Sequence, residues 1–577
     1  MPPAVQALDA ATPGGALLVL SLVVPSLGIL LAFGLGGRHV ERIGLLTIGL
    51  GLAVAAAIAE RVAQSGAPLV YLLGNWAPPL GVALRADAAS AVMMVIVAVV
   101  LVGVGLYAWV DFRTPREVDE ARRPFTFWIL LLGVWAGLNA VFVSGDLFTL
   151  YVALELLTFA AVPLVSLDGK AETLAAALRY LLFALIGSIF YLAGAGLIYG
   201  VYGTLDIALV AARIAASPAT IVALALMTVG LLAKTALVPL HLWLPPAHAG
   251  APAAASAVLS ALVVKGSFFI VVRLWFDVAP ALPGYAGAQL LGGLGAAAIL
   301  LGNLMALRQA RLKLLIAYST VAQIGYLFLM FPLAFSAADG RLLSGGALAG
   351  GIVQAISHAT AKAGMFMAAG LLYAGLGNDR LAGLGGSLRL LPLCILTLAV
   401  GGVALMGLPP SGAYVAKELL LRAADGTGQW WWAAVLQIGG VLTSSYLVLV
   451  LAHVFSSPPA APRLRAPVPA LQQISALALA VLSLLLGLIH WSGGLALPGE
   501  PLSSPLSLET AWKALWPLLA GAGVAWLFGR WGDRPPRVGA AIEWTDDALR
   551  QWPVAGISLL LLSVMFGAAM YVAGGVP

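Results

Sequence analysis

The chain has 577 residues, of which 62% are apolar and only 9% are charged, and its mean hydropathy is +1.02. A soluble domain carries about a quarter of charged residues, so this composition excludes a water-soluble enzyme, a nucleic-acid binder and a disordered scaffold. The net charge of +6 comes from 30 cationic and 24 anionic residues spread thinly along the chain, not from a run of like charges that could grip a polyanion.

A helix needs about 20 apolar residues to cross the hydrocarbon core. Windows of that size predict sixteen spans, at 15–36, 43–59, 89–110, 125–143, 147–167, 175–202, 219–240, 253–276, 286–307, 313–334, 346–375, 390–421, 430–455, 470–491, 509–530 and 553–575. The first has no basic leader and is followed by many others, so it reads as a span and not as a signal peptide. The runs are apolar all round, which points to an α-helical bundle and away from a β-barrel. Nineteen Lys and Arg residues fall in connections after odd-numbered spans, seven after even-numbered spans, and four inside spans. The positive-inside bias then puts the odd connections in the cytoplasm and both termini outside. The one cysteine, Cys394, lies in an apolar stretch, so no disulfide framework, thiolate metal cluster or redox pair is expected.

The four lysines within spans are Lys234, Lys265, Lys362 and Lys417. A charge at the bilayer centre costs about 2.5–3.5 kcal/mol on insertion scales. Snorkelling explains a lysine near a helix end, but Lys265 and Lys362 lie closer to mid-span. Glu155 stands in an apolar run with no other acid in its span. A buried carboxylate is neutralised or paired, and a buried lysine is a natural partner. His358 and Lys362 are four apart and share a helix face, as do Ser319 and Gln323. His453 stands in a span of its own and reads either as a packing residue or as a relay. Glu418 follows Lys417 but points about 100° away around the helix, which leaves open whether it is a counter-ion or faces water. Lysine, histidine and glutamate on separate helices suit proton transfer. A metal site fits poorly, because lysine is a weak ligand and the six histidines show no ligand spacing.

Prolines mark two interrupted helices. One span runs from Lys234 into Pro239, and another contains Gly407-Leu408-Pro409-Pro410-Ser411-Gly412 shortly before Lys417. Broken helices of this kind form ion sites in transporters. The matching stretches are about 125–276 and 286–455, with five spans each. Five is odd, so the second copy inserts upside down relative to the first.

Longer motifs carry a resemblance. Residues 234–275 begin Lys-Thr-Ala-Leu-Val-Pro-Leu-His-Leu-Trp-Leu-Pro-Pro-Ala-His-Ala-Gly, continue through Ser-Ala-Val-Leu-Ser-Ala-Leu-Val-Val-Lys-Gly and end in Arg-Leu-Trp. This stretch resembles the signature of the proton-conducting antiporter-like family. That family comprises the large membrane subunits of respiratory complex I, of membrane-bound hydrogenases and formate hydrogenlyases, and of Mrp-type cation/proton antiporters. The stretch 145–151 leading to Glu155, and Tyr199-Gly200-Val201-Tyr202-Gly203-Thr204-Leu205, are most similar to the D-type component of the Mrp antiporters. The segments 317–326, 357–362 and 407–410 extend the match over about 125–455.

The resemblance implies an all-α polytopic fold with about fourteen core transmembrane helices and two inverted five-helix repeats containing broken helices. About two extra C-terminal helices lie beyond these, joined through Glu543-Trp544-Thr545-Asp546-Asp547, which reads as a short amphipathic surface helix. The implied domains are 1–124, 125–285, 286–457 and 458–577, the last serving docking. Glu155 would pair with Lys234 at the first half-channel, and Lys265 would pass protons through His358 and Lys362 to Lys417. His241, His248, Ser319, His453 and Glu418 are relay candidates, with His241 and His248 reading equally as loop structure. No cofactor or metal is expected in the chain. The implied partners are other membrane subunits of a hetero-oligomeric complex in a prokaryotic plasma membrane, with protons and sodium as transported ions. Three readings follow: an Mrp-type sodium/proton antiporter subunit, a proton-pumping subunit of a redox complex, and an energy-coupling subunit for inorganic carbon uptake. Redox chemistry within the chain is not expected, since no dinucleotide fingerprint or cysteine cluster is present to support it.

Overall fold

The computed structural model describes residues 11–573 other than 281, 283, 339, 344, 458–462, 490–507 and 532–535. Every predicted window contains a helix. Among the described residues fourteen helices are long and apolar enough to cross a membrane, and two windows hold shorter apolar helices. Without water in the hydrocarbon core, each segment must satisfy its own N–H and C=O groups, and the helix does so within itself.

The chain opens with α1 (Ala16–Leu35), α2 (Val40–Ser65) and α3 (Ala88–Asp111). Between the last two lies an antiparallel hairpin, β1 (Leu69–Leu72) and β2 (Ala83–Ala86), with Leu69 opposite Ala86. The hydropathy windows gave no sign of it, because each strand has only four residues. The first run of five comprises α4 (Arg122–Val143), α5 (Leu147–Val165), α6 (Ala171–Tyr202), the broken pair α7 (Pro218–Thr235) and α8 (Leu244–Gly250), and α9 (Ala253–Val278). The second comprises α10 (Tyr285–Arg308), α11 (Leu312–Leu333), α12 (Gly346–Leu376), the broken pair α13 (Pro392–Leu405) and α14 (Gly412–Gly426), and α15 (Trp430–Phe455). In each run the fourth member is the broken one.

The first break falls earlier than the window 219–240 predicted. Helix α7 stops at Thr235, and Ala236 takes a left-handed conformation with φ 60°. Val238 precedes Pro239, which disfavours the α conformation there, and the proline has no N–H to continue the ladder. In the second break Gly407 has φ 73°, and Ser411 restarts the chain as α14 by accepting a bond from the Tyr414 N–H at 3.1 Å.

Helices α9, α11 and α12 form the axis, with α9 buried along its whole apolar window. Helix α12 packs against α9, α11 and α14, so the two repeats meet there. Helix α16 (Ala470–Leu488) covers α12 and α3. The remaining helices are α17 (Leu508–Trp531), α18 (Pro536–Leu549) and α19 (Trp552–Ala573). Helix α17 lies on α15, α18 on α10, and α19 on α7 and α10.

Candidate functional site

The break after α7 brings Lys234 to its partners. Lys234 occupies the last turn of α7, where the unpaired carbonyls of a helix C-terminus favour a cation. Its ammonium donates to Glu155 Oε1 at 2.9 Å and to Thr158 Oγ1 at 2.9 Å, both on α5. Ser188 of α6 donates to the same glutamate oxygen. Three helices thus converge on one carboxylate. Lys234 is buried and Glu155 mostly so, with 14% of its side chain exposed. The separation of the partners in sequence, 79 residues, is closed by the packing of α5, α6 and α7.

Hydroxyls bridge the break to the helix that carries Lys265. Thr235 donates to Ser267 across 3.0 Å, which ties the break to α9 two residues from Lys265. Helix α9 widens to a π-helical turn over Leu259–Val263, and such bulges free a carbonyl from the ladder. The Ser260 carbonyl accepts from the Lys265 ammonium at 2.6 Å. The same ammonium lies 2.5 Å from His358 Nδ1 on α12. This contact joins the two repeats.

One turn along α12, Lys362 donates to the Ile316 carbonyl at 3.1 Å and to the Ser319 hydroxyl, both on α11. Next to Ser319, Thr320 lies 2.9 Å from Ser260 Oγ of α9. All of Lys265, His358, Lys362 and Ser319 are buried. A cavity of about 20 Å³ then joins Gln323 on α11 and Gln354 on α12 to Lys417 on α14. That volume is just above what one water molecule needs. Gln354 donates to Gln323 at 2.8 Å, which orients both amides. Glu418 turns away from this cavity and lies 3.7 Å from Arg422 on its own helix, so it joins a local surface pair.

His241 and His248 occupy the linker and second half of the broken α7–α8 pair. His248 is buried and stacked on Phe366 of α12, with ring centroids 4.7 Å apart. Flanking it, Pro246 and Ala249 line a vestibule of about 790 Å³, whose charged walls include Lys170, Arg179, Lys313 and Asp379. His241 is buried, and its Nε2 lies 3.2 Å from Asp546 of α18. Burial pushes the Asp546 carboxyl up, and the hydrogen bond from His241, with Arg550 and Tyr318, brings it below the usual carboxylate value. His453 stands apart from all of these in the last turn of α15, its Nδ1 2.8 Å from the Leu449 carbonyl of its own helix.

Sequence reasoning did not single out Thr158, Ser188, Ser260, Gln354, Tyr318 or Asp546. Thr158 sits three residues after Glu155 and so on the same helix face, a spacing that is readable. Ser188 and Ser260 are small hydroxyls among apolar neighbours, which leave no pattern.

Two broken helices and several buried lysines within a bundle of long apolar helices define a polytopic membrane protein of the antiporter-like kind. Residues 144–443 match the family described as NADH:quinone oxidoreductase/Mrp antiporter, TM, and the chain belongs to that family. The N component of NADH-quinone oxidoreductase from Desulforudis audaxviator (strain MP104C) is 34% identical over 455 residues, covering 76% of this chain and 87% of that one. The D component of the Na(+)/H(+) antiporter from Alkalihalophilus pseudofirmus is 28% identical over 446 residues, with the same coverage of 76% and 87%. A chain of the solved Mrp complex from Dietzia sp. DQ12-45-1b superposes with a TM-score of 0.73 at 25% identity, covering 92% of this chain and 99% of that one. Relatives of both kinds match over the same share of the chain, so the similarity establishes the family and not one branch within it.

Proposed function

We propose that this chain is the proton-translocating, antiporter-like subunit of a multisubunit complex, specifically of an Mrp-type sodium/proton antiporter. Protons move along Glu155, Lys234, Lys265, His358, Lys362 and Lys417. The observation that carries this reading is the 2.5 Å contact of Lys265 with His358, which joins the repeat that holds the Glu155–Lys234 pair to the repeat that holds Lys362. Separating the Glu155–Lys234 pair frees Lys234 to hand its proton on, and re-pairing resets it. Each such event moves charge across part of the membrane, where a full elementary charge over 100 mV is worth about 2.3 kcal/mol. The distribution of Lys and Arg supports a plasma-membrane orientation with both termini outside.

The test is proton flux in the assembled complex carrying Glu155→Gln or Lys234→Ala. Loss of flux in both is the expected result, and unchanged flux in both sinks the mechanism. A second reading, the proton pump of a redox complex, is supported by the 34% identity to an NADH-quinone oxidoreductase component. Purification from native membranes separates the two. Co-purifying iron–sulfur subunits favour the pump, and small membrane subunits with sodium-dependent flux favour the antiporter.

A further inference from the structure

We propose that His241, which follows Lys234 in the break after α7, is a proton relay feeding the path proposed above, and that Asp546, on the C-terminal surface helix α18, is the positioning residue that orients and charge-balances it; this rests on that path. Three elements far apart in sequence meet at this point. His241 comes from the break after α7, Tyr318 from α11, and Asp546 from α18, 305 residues beyond His241. His241 and Asp546 are fully buried. Asp546 Oδ1 lies 3.2 Å from His241 Nε2, and Tyr318 donates to Oδ2 at 2.6 Å. Arg550 Nε is 2.8 Å from Oδ2, and the same guanidinium reaches Asp547 at 2.7 Å on the outer side. One turn before Asp546, Glu543 pairs with Arg308 at the end of α10 at 2.5 Å. Helix α18 is therefore tied down from two sides with its one buried acid turned inward.

The consequence lies at the other ring nitrogen. His241 Nδ1 is buried and has no hydrogen-bond partner among the described residues. A carboxylate on Nε2 selects the tautomer in which Nε2 carries hydrogen, and leaves the Nδ1 lone pair as the acceptor. A proton taken at Nδ1 makes an imidazolium whose charge the Asp546 carboxylate balances directly. His241 then returns to its starting tautomer when Nδ1 gives that proton up. The matched family region ends at 443, so this acid is supplied by a part of the chain that the sequence alone assigns to docking.

The test uses the assembled complex in liposomes, with a pH-indicator dye following proton flux across a range of pH. Asp546→Asn is expected to slow flux about tenfold and to displace one limb of the pH profile, with Asp546→Glu restoring most of the rate. His241→Gln combined with Asp546→Asn is expected to be no slower than His241→Gln alone. A wild-type rate and pH profile in Asp546→Asn overturns the proposal. So do slowdowns that multiply in the double variant, or a loss confined to the amount of assembled complex. Should Asp546→Asn fail to assemble, Tyr318→Phe carries the test, since it removes one donor to Asp546 and keeps the ring; an unmoved pH profile there overturns the proposal. Lys234→Ala is run in parallel. If it abolishes flux while Asp546→Asn does not, only the role of α18 falls; if it leaves flux intact, the path and this role fall together.

Discussion

The two broken helices carry their lysines on opposite sides of the break. Lys234 lies in the last turn before it, at the helix end whose carbonyls favour a cation, and donates to Glu155 and Thr158, with Ser188 donating to the same carboxylate. Lys417 lies in the second turn after its break, nearer the end of α14 that favours anions. It faces the amides of Gln323 and Gln354 across a water-sized cavity, while the only adjacent acid, Glu418, turns to Arg422. Inverting a repeat preserves where the helix breaks. It does not preserve the electrostatics around the break. The first site is a buried ion pair, whereas the second is a cation among neutral dipoles.

The largest effect tests the first half of that contrast. Lys234→Ala removes the proton carrier proposed at this site, for which losses of about 100-fold or more in flux are expected. It also leaves Glu155 without its cation, and breaking such a pair costs about 3–5 kcal/mol. Thermal unfolding of the complex is expected to show a larger drop for Lys234→Ala than for Glu155→Gln combined with Lys234→Met. Equal drops would mean that the pair is not what holds this site together. Next in size is Lys417→Ala, with a loss of flux of about tenfold, because the enlarged cavity admits further water in place of the side chain. Its stability is expected to change by less than about 1 kcal/mol, since no carboxylate is stranded. A large destabilisation here would erase the distinction between the two sites.

Much of this contrast could be read from the chain before any coordinates. Charges are costly in hydrocarbon, so Lys234, Lys265, Lys362, Lys417 and Glu155 stand out within apolar windows, and Pro239 and Pro409-Pro410 mark both breaks. The five-plus-five arrangement follows from counting spans. The contact between Lys265 and His358 was less legible, since it depends on how α9 packs against α12 and on a π-helical turn whose only sign is a carbonyl redirected to a side chain. Asp546 was hidden for a different reason. An acid in an amphipathic surface stretch reads as solvated, and only the docking of α18 over the first break makes it a buried partner of His241. Sequence marks which side chains are expensive to bury, but long-range packing decides which partner each of them receives.

Two smaller changes sharpen the comparison further. Thr158→Val removes one hydrogen bond to the Lys234 ammonium, and bonds to charged groups are worth about 1.5–3 kcal/mol. Each 1.36 kcal/mol is a factor of ten in rate, but Glu155 remains in place, so a loss of about threefold to tenfold in flux is expected. An equal loss from the corresponding disturbance at Lys417, Gln323→Leu, would mean that amides serve the second lysine as well as an ion pair serves the first. The smallest effect is expected at His453→Gln. Among the described residues this ring bonds only to the Leu449 carbonyl of its own helix, at the half-exposed end of α15. Glutamine can satisfy the same carbonyl, and surface changes of this kind stay within about 0.5 kcal/mol. Flux should therefore change by less than about twofold. A drop comparable to that of Lys417→Ala would carry the path past Lys417 and along α15. The second half would then have a relay of its own beyond the break, and its neutral surroundings would be a passage rather than an endpoint.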